Sequence, residues 1–203
     1  MRFNCTCPEQ YTGQRCEIEI KHFRSCKDLE TNGVKTSGMH FLYDTQNNSF
    51  PVYCDFDSND GKIWALIQSF SLANKSMFMN DGFGTDHSVN DDSGLINWSA
   101  YRLSLARMKS IAGASTHLRA TCNFQDDGLN YTDYARAKLE GQDLFGTWPG
   151  RCREYELIVM TRVASNIQGL SSSRWNSDNC QFVLKPLTRV KVKFAFILHA
   201  YLS

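Results

Sequence analysis

The chain has 203 residues, 42% of them hydrophobic, with four Trp, enough for one medium domain and a small appendage. Lys+Arg 22 against Asp+Glu 21 leaves a net charge of +1, which excludes both a nucleic-acid binder built on a concentrated basic surface and a strongly acidic calcium sequesterer. Eight cysteines, spaced as disulfide frameworks rather than zinc sites, imply an oxidising compartment.

The first residues, Met1-Arg2-Phe3-Asn4-Cys5, contain no apolar h-region, so either a secretory leader lies upstream or the start is misplaced. Cys5-x-Cys7-x5-Gly13-x2-Cys16 follows and resembles the closing half of an EGF-like module. The resemblance implies a Cys7–Cys16 bridge across a tight turn, Gly13 supplying the unusual backbone angle and Tyr11 covering the bridge. Three of that module's six cysteines are absent and Cys5 lacks its upstream partner. Residues 1–20 are therefore expected to be a partial module, and the chain a piece of a longer protein. Glu17 to His22 is polar and free of Pro and Gly, a linker that would set the two parts close together.

Ser25-Cys26-Lys27-Asp28-Leu29 opens the body. A turn near Gly33 and Gly38 leads to a strand over Met39–Tyr43, and Asp44 to Ser49 is an Asn-rich turn. Two further strands, Phe50–Phe56 and Ile63–Phe70, flank a hairpin-like turn at Asp57-Ser58-Asn59-Asp60-Gly61. Ser-Cys-Lys-Asp-Leu, then Phe-Pro-Val-Tyr-Cys-Asp-Phe and Trp64, in this order and spacing, resembles the start of a fibrinogen C-terminal-like domain; Lys62-Ile63 stand where that family usually has Gly-Gly. The resemblance implies an α+β fold over residues 21–203 and a Cys26–Cys54 bridge. With 27 residues between those cysteines, closing the loop is worth about 3.5 kcal/mol in the chain-entropy picture.

Asn74 to Gly94 is, by composition, the least ordered stretch. Its acidic residues Asp86, Asp91 and Asp92 can meet a hard cation such as calcium, though the alternating oxygen-ligand spacing of a dedicated calcium loop is missing and a solvated loop is favoured. Trp98 to Ile111 reads as a helix, with Tyr101, Leu105, Met108 and Ile111 on one face and Gly113 ending it. Leu118-Arg119-Ala120-Thr121-Cys122, then Asp126-Asp127-Gly128 and Tyr131-x2-Tyr134-Ala135, resemble the central hairpin of the fibrinogen-like family, although Cys122 is out of place there. Glu154 to Val163 reads as a buried strand. Ser171 to Cys180 distantly resembles the Trp-rich Asn-Cys segment beside the family's ligand pocket, but its Asp-x-Asp calcium loop is missing. Val190 to Phe196 alternates strictly and reads as a half-exposed strand with its lysines outward. Cys122, Cys152 and Cys180 make an odd set: Cys152–Cys180 is the preferred pair and Cys122–Cys152 the rival, with one thiol left free or bonded beyond this chain.

No His-Glu-x-x-His, Gly-x-Ser-x-Gly or phosphate-binding glycine loop occurs, and the five histidines show no ligand spacing. Asp91-Asp92 and Asp126-Asp127 are adjacent pairs whose side chains, on an extended backbone, point opposite ways. Catalysis is therefore not expected, nor any cofactor beyond calcium. No apolar run approaches the roughly 20 residues of a membrane-spanning helix; the longest is Phe194 to Leu202. Sequons stand at Asn4, Asn47, Asn74, Asn97 and Asn130, against roughly two by chance, a mild excess. Arg24, Arg189, Lys191 and Lys193 can touch sulfated glycans, with a solvated face the plainer reading.

The function these features imply is a non-enzymatic, secreted matrix or adhesion protein that binds extracellular proteins or glycans. The pairing of an EGF-like part with a divergent fibrinogen-like part also resembles cnidarian secreted proteins of the coral skeletal organic matrix type, where a structural or adhesive role suits the near-neutral charge better than mineral nucleation. The second reading, a calcium-dependent glycan-binding lectin of the ficolin or intelectin type, lacks its Asp-x-Asp loop.

Overall fold

The computed structural model describes residues 6–8, 11, 12, 14–19, 21–58, 61–78, 81–122, 124–129, 134–141, 143–145, 156–159 and 193–199. Two strands of two residues, β1 (Tyr11–Thr12) and β2 (Ile18–Glu19), pair antiparallel near the amino end. Part of the expected linker is thus a strand. Cys7 and Cys16 are disulfide-bonded beside it, with their Cα atoms 5.3 Å apart. Among the described residues of this hairpin Cys16 is left-handed, at φ 56; Gly13 lies outside the described residues, and Tyr11 is exposed.

Helix α1 (Cys26–Thr31) is started by its own sequence. Ser25 Oγ accepts from Asp28 N at 3.1 Å and Asp28 Oδ2 accepts from Ser25 N at 3.0 Å, a reciprocal cap that satisfies two donors the first turn leaves open. Gly33, at φ 96, ends it: Gly33 N donates to Glu30 O at 3.0 Å and Val34 N to Leu29 O at 3.0 Å, a turn in which a left-handed residue is cheapest as glycine. Cys26 and Leu29 are the helix's buried residues. The Cys26–Cys54 disulfide, Cα atoms 5.6 Å apart, ties that face to the sheet.

Among the described residues the sheet has eight strands, and all its pairs are antiparallel. Strand β3 (Gly38–Tyr43) pairs along its length with β4 (Ser49–Asp55), Gly38 opposite Cys54 and Tyr43 opposite Ser49. Strand β5 (Trp64–Ser71) is buried continuously from Trp64 to Ser69. Unbroken burial without alternation means that both faces are covered. Next come β6 (Ala100–Arg102), α2 (Leu105–Gly113), β7 (His117–Cys122), the short helix α3 (Phe124–Asp127), β8 (Tyr134–Lys138), β9 (Leu157–Val159) and β10 (Lys193–His199). The strand order is β3-β4-β5-β10-β7-β8-β9, with β6 on the other edge of β5 beyond the short β4 contact.

Two expectations change here. The helix expected over Trp98–Ile111 is two elements: Ala100–Arg102 zips onto β5 in register Phe70↔Ala100 to Gln68↔Arg102, and the helix begins at Leu105. Of the strand read over Val190–Phe196, the described part from Lys193 lies mid-sheet, its edges paired to β5 and β7. The stretch read as least ordered is organised around one buried arginine. Arg102, fully buried, gives one guanidinium nitrogen to Gln68 Oε1 and Asp81 O, both at 3.0 Å, and the other to Gly82 O at 2.7 Å and Thr85 O at 3.0 Å. A desolvated cation needs such partners, and the carbonyls that supply them fix loop 81–85. The core holds Trp64, Leu66 and Ile67 with Leu42, Val52, Leu103, Met108 and Ile111.

Candidate recognition site

Strands β7 and β8 pair His117 with Lys138 and Arg119 with Arg136. Directly opposed residues share a face, so four groups that are or can be cationic lie side by side, an arrangement that repels unless carboxylates intervene. Two do. Arg119 donates to Asp55 Oδ2 at 2.6 Å, with side-chain exposures of 0% and 3%. Its guanidinium also lies 4.2 Å from the Trp64 ring centre and 5.2 Å from that of Phe124, a desolvated cation on π faces. Asp55 is held in turn by the backbone N–H groups of Asp57 and Ser58 at 3.0 and 3.1 Å and by the Ser58 hydroxyl. This cluster is the floor on which β7 sits.

Glu156 is the second carboxylate. It accepts from Arg136 Nε at 3.0 Å, meets Lys138 Nζ at 3.6 Å and His117 Nε2 at 3.3 Å, and its own N–H donates to Arg136 O at 2.8 Å. Burial pushes its carboxyl up, but His117, Arg136 and Lys138 outweigh that and hold it below the usual carboxylate range. Burial, then Lys62, moves the His117 imidazole the other way, below the ordinary histidine value, against the pull of Glu156. The ring is thus neutral at pH 7. Its Nε2–H points to Glu156, and Nδ1 accepts from the Thr116 hydroxyl at 2.7 Å.

Beside this chain of contacts an open depression of about 790 Å³ lies between the last turn of α2 and the end of β8. Ala112, Leu139, Leu144 and Phe145 give it apolar surface; Lys109, Thr116, His117, Lys138, Glu140 and Asp143 also line it. An apolar hollow with a few convergent polar groups is the usual form of a small-ligand site. Hydroxyl, imidazole and carboxylate in sequence also match the order of a nucleophile, base and orienting acid. Two features argue for recognition instead: Glu156 is shared between two cations, Arg136 and Lys138, as well as the imidazole, and the imidazole is a weakened proton acceptor. Neither Thr116 nor Glu156 had a sequence signal, since 40 residues separate them and only the β7-β8-β9 pairing brings them together.

The residues singled out in the sequence fall elsewhere. Asp86 accepts from Leu105 N at 2.9 Å and Asp91 from Ser104 N at 3.1 Å, where helix α2 begins. Asp91 and Asp92 both meet Arg107, at 2.8 and 2.7 Å; the adjacent pair converges on one cation because this backbone is a turn, not extended. Among the described residues no cluster of three or more His, Cys, Asp or Glu could hold a metal ion. Arg24 is taken up by Asp44 O and Asn47 Oδ1, both at 2.8 Å. Cys122 ends β7 and Lys193 begins β10; Cys5, Cys152, Cys180, Arg189, Lys191, Asn4 and Asn130 lie outside the described residues. Asn47 is exposed at φ 62, Asn74 is half-buried with Nδ2 donating to Ser99 O at 2.8 Å, and Asn97 is exposed with Oδ1 accepting from Ser99 N at 3.1 Å.

The segment from His22 through α1, β3, β4 and β5 to loop 81–85 carries the Cys26–Cys54 disulfide. Residues 22–84 match the family model of fibrinogen beta and gamma chains, C-terminal globular domain. That fibrinogen-like segment contains Cys26, Cys54, Asp55 and Trp64. The depression, built by residues 109–145, lies beyond it. No curated protein matches the chain. Among the described residues no helix is long and apolar enough to cross a membrane.

Proposed function

We propose that the chain is a non-enzymatic, secreted extracellular protein whose fibrinogen-like segment serves as a rigid platform, and that the depression beside His117 receives a glycan or a protein ligand. The observation that carries this is the match of residues 22–84 to the fibrinogen C-terminal family, together with two disulfides, a chemistry of oxidising compartments. Residues 1–20, with their Cys7–Cys16 bridge, are read as part of an EGF-like module, and Cys152–Cys180 as a further bridge. The narrower reading is a structural or adhesive component of a secreted matrix, including a biomineral skeletal organic matrix of the cnidarian type; it rests on the sequence resemblance and on a net charge of +1, which suits adhesion better than direct mineral binding.

The test is titration calorimetry of the full chain against a panel of extracellular glycans and matrix proteins, with Lys138→Glu and Phe145→Ala as variants. Ligand heat that both variants abolish supports the reading; ligand heat unchanged in both removes the depression from it. The calcium-dependent lectin is the second reading, drawn from Asp86, Asp91 and Asp92. Sugar binding that requires added calcium would favour it, although those carboxylates are engaged by α2 and Arg107.

A further inference from the structure

We infer that, of the three sequons among the described residues, Asn97 carries an N-linked glycan in the secreted protein and Asn74 does not. The inference rests on the extracellular reading above and adds to it a modification site with a defined place in the fold.

An N-linked sugar replaces one of the two hydrogens on a carboxamide nitrogen with a bulky ring, so the nitrogen must face open solvent. At Asn97 it does. The residue is exposed, and its Oδ1 accepts from Ser99 N at 3.1 Å. That Asx turn occupies the oxygen and leaves Nδ2 without a hydrogen-bond partner among the described residues. Two positions away Leu95 stands 77% exposed, an isolated apolar side chain at the corner before β6 that a sugar at Asn97 would overhang.

Asn74 presents the opposite geometry. It is half-buried, and Nδ2 is the atom engaged, donating to Ser99 O at 2.8 Å. The same carbonyl accepts from Ser71 N at 3.0 Å, so this contact closes the corner where β5 meets β6. A sugar on that nitrogen would be driven between residue 74 and the backbone at residue 99. A nascent chain that acquired one would keep a single N–H for Ser99 O but would have to seat the ring in a half-buried corner, so the secreted, folded population should be depleted of it. Asn47 differs from both: it is exposed, with Oδ1 accepting from Arg24 at 2.8 Å, and its occupancy does not enter the inference.

The experiment is expression of the full chain behind a secretory leader in eukaryotic cells, followed by site-resolved mass spectrometry of the secreted protein. Enzymatic deglycosylation of wild type, Asn97→Gln and Ser76→Ala runs in parallel. Ser76→Ala destroys the Asn74 sequon and spares the Asn74–Ser99 contact. Glycan on Asn97, none on Asn74, one mobility step lost in Asn97→Gln and none lost in Ser76→Ala support the inference. A sugar on Asn74, or a bare Asn97 on secreted chains whose Cys26 and Cys54 are oxidised, overturns it and leaves the extracellular reading standing. Retained chains with Cys26 and Cys54 reduced overturn both.

Discussion

Substituting Asp55 by Ala tests the floor beneath β7. It leaves the Arg119 guanidinium, 0% exposed, without the carboxylate 2.6 Å away, and removes the acceptor for two backbone N–H groups at residues 57 and 58. Removing one partner of a buried ion pair costs about 3–5 kcal/mol, because the other charge stays desolvated. Against the roughly 5–15 kcal/mol that holds an ordinary domain folded, that is a large share. Arg119→Met should cost less: Asp55 keeps its three donors from the 57–58 turn, and a thioether can still lie on Trp64. The double variant should cost less than the sum of the two, since it strands neither charge. The assay is urea unfolding of the oxidised protein followed by Trp fluorescence, with both disulfides intact so that all variants share one denatured state. An Asp55→Ala cost below about 1 kcal/mol, or strict additivity of the two changes, would refute the argument that this pair is desolvated and coupled.

Two further predictions concern charge and loop order. His117 binds its proton less readily in the fold than at the ordinary value of 6.5, so the unfolded chain takes the proton first and stability should fall as pH drops below about 6.5. Glu156, held below 4.5, should add a second decline below about pH 4.5, until the folded carboxyl also protonates. Urea midpoints across pH 3–8 check both, and Glu156→Gln should shrink the lower limb, leaving what Glu30 and Asp44 contribute, and extend the His117 limb to lower pH. Arg102→Lys cannot span Gln68 and three carbonyls with a single ammonium; amide exchange at residues 81–85 should accelerate by tenfold or more, while exchange in β3 and β4 stays unchanged.

The elements legible in the sequence are those whose cause is local. Strands β3, β4 and β5 are apolar runs bounded by Asn- and Asp-rich turns; helix α1 is not among the expected elements, although Ser25 and Asp28 supply its cap locally. Trp98–Ile111 misled because Tyr101 falls on the same helical face as Leu105, Met108 and Ile111, whereas the pairing of Arg102 with Gln68 and the carbonyls of 81–85 holds residues 100–102 in a strand. That pairing is non-local, and the polar composition of 74–94 concealed it. The candidate site is less legible still: His117 meets Glu156 only because β7, β8 and β9 lie side by side, and β10 has its central place because of partners more than 60 residues away in sequence.

The account depends most on the fibrinogen-like segment being a cross-linked extracellular platform. Non-reducing peptide mapping of the native secreted material tests this directly. The account predicts a Cys26–Cys54 linked peptide in stoichiometric yield, with a loss of about 3.5 kcal/mol in stability in the Cys26→Ser, Cys54→Ser double variant. Recovery of both residues as free thiols from the native protein would contradict it.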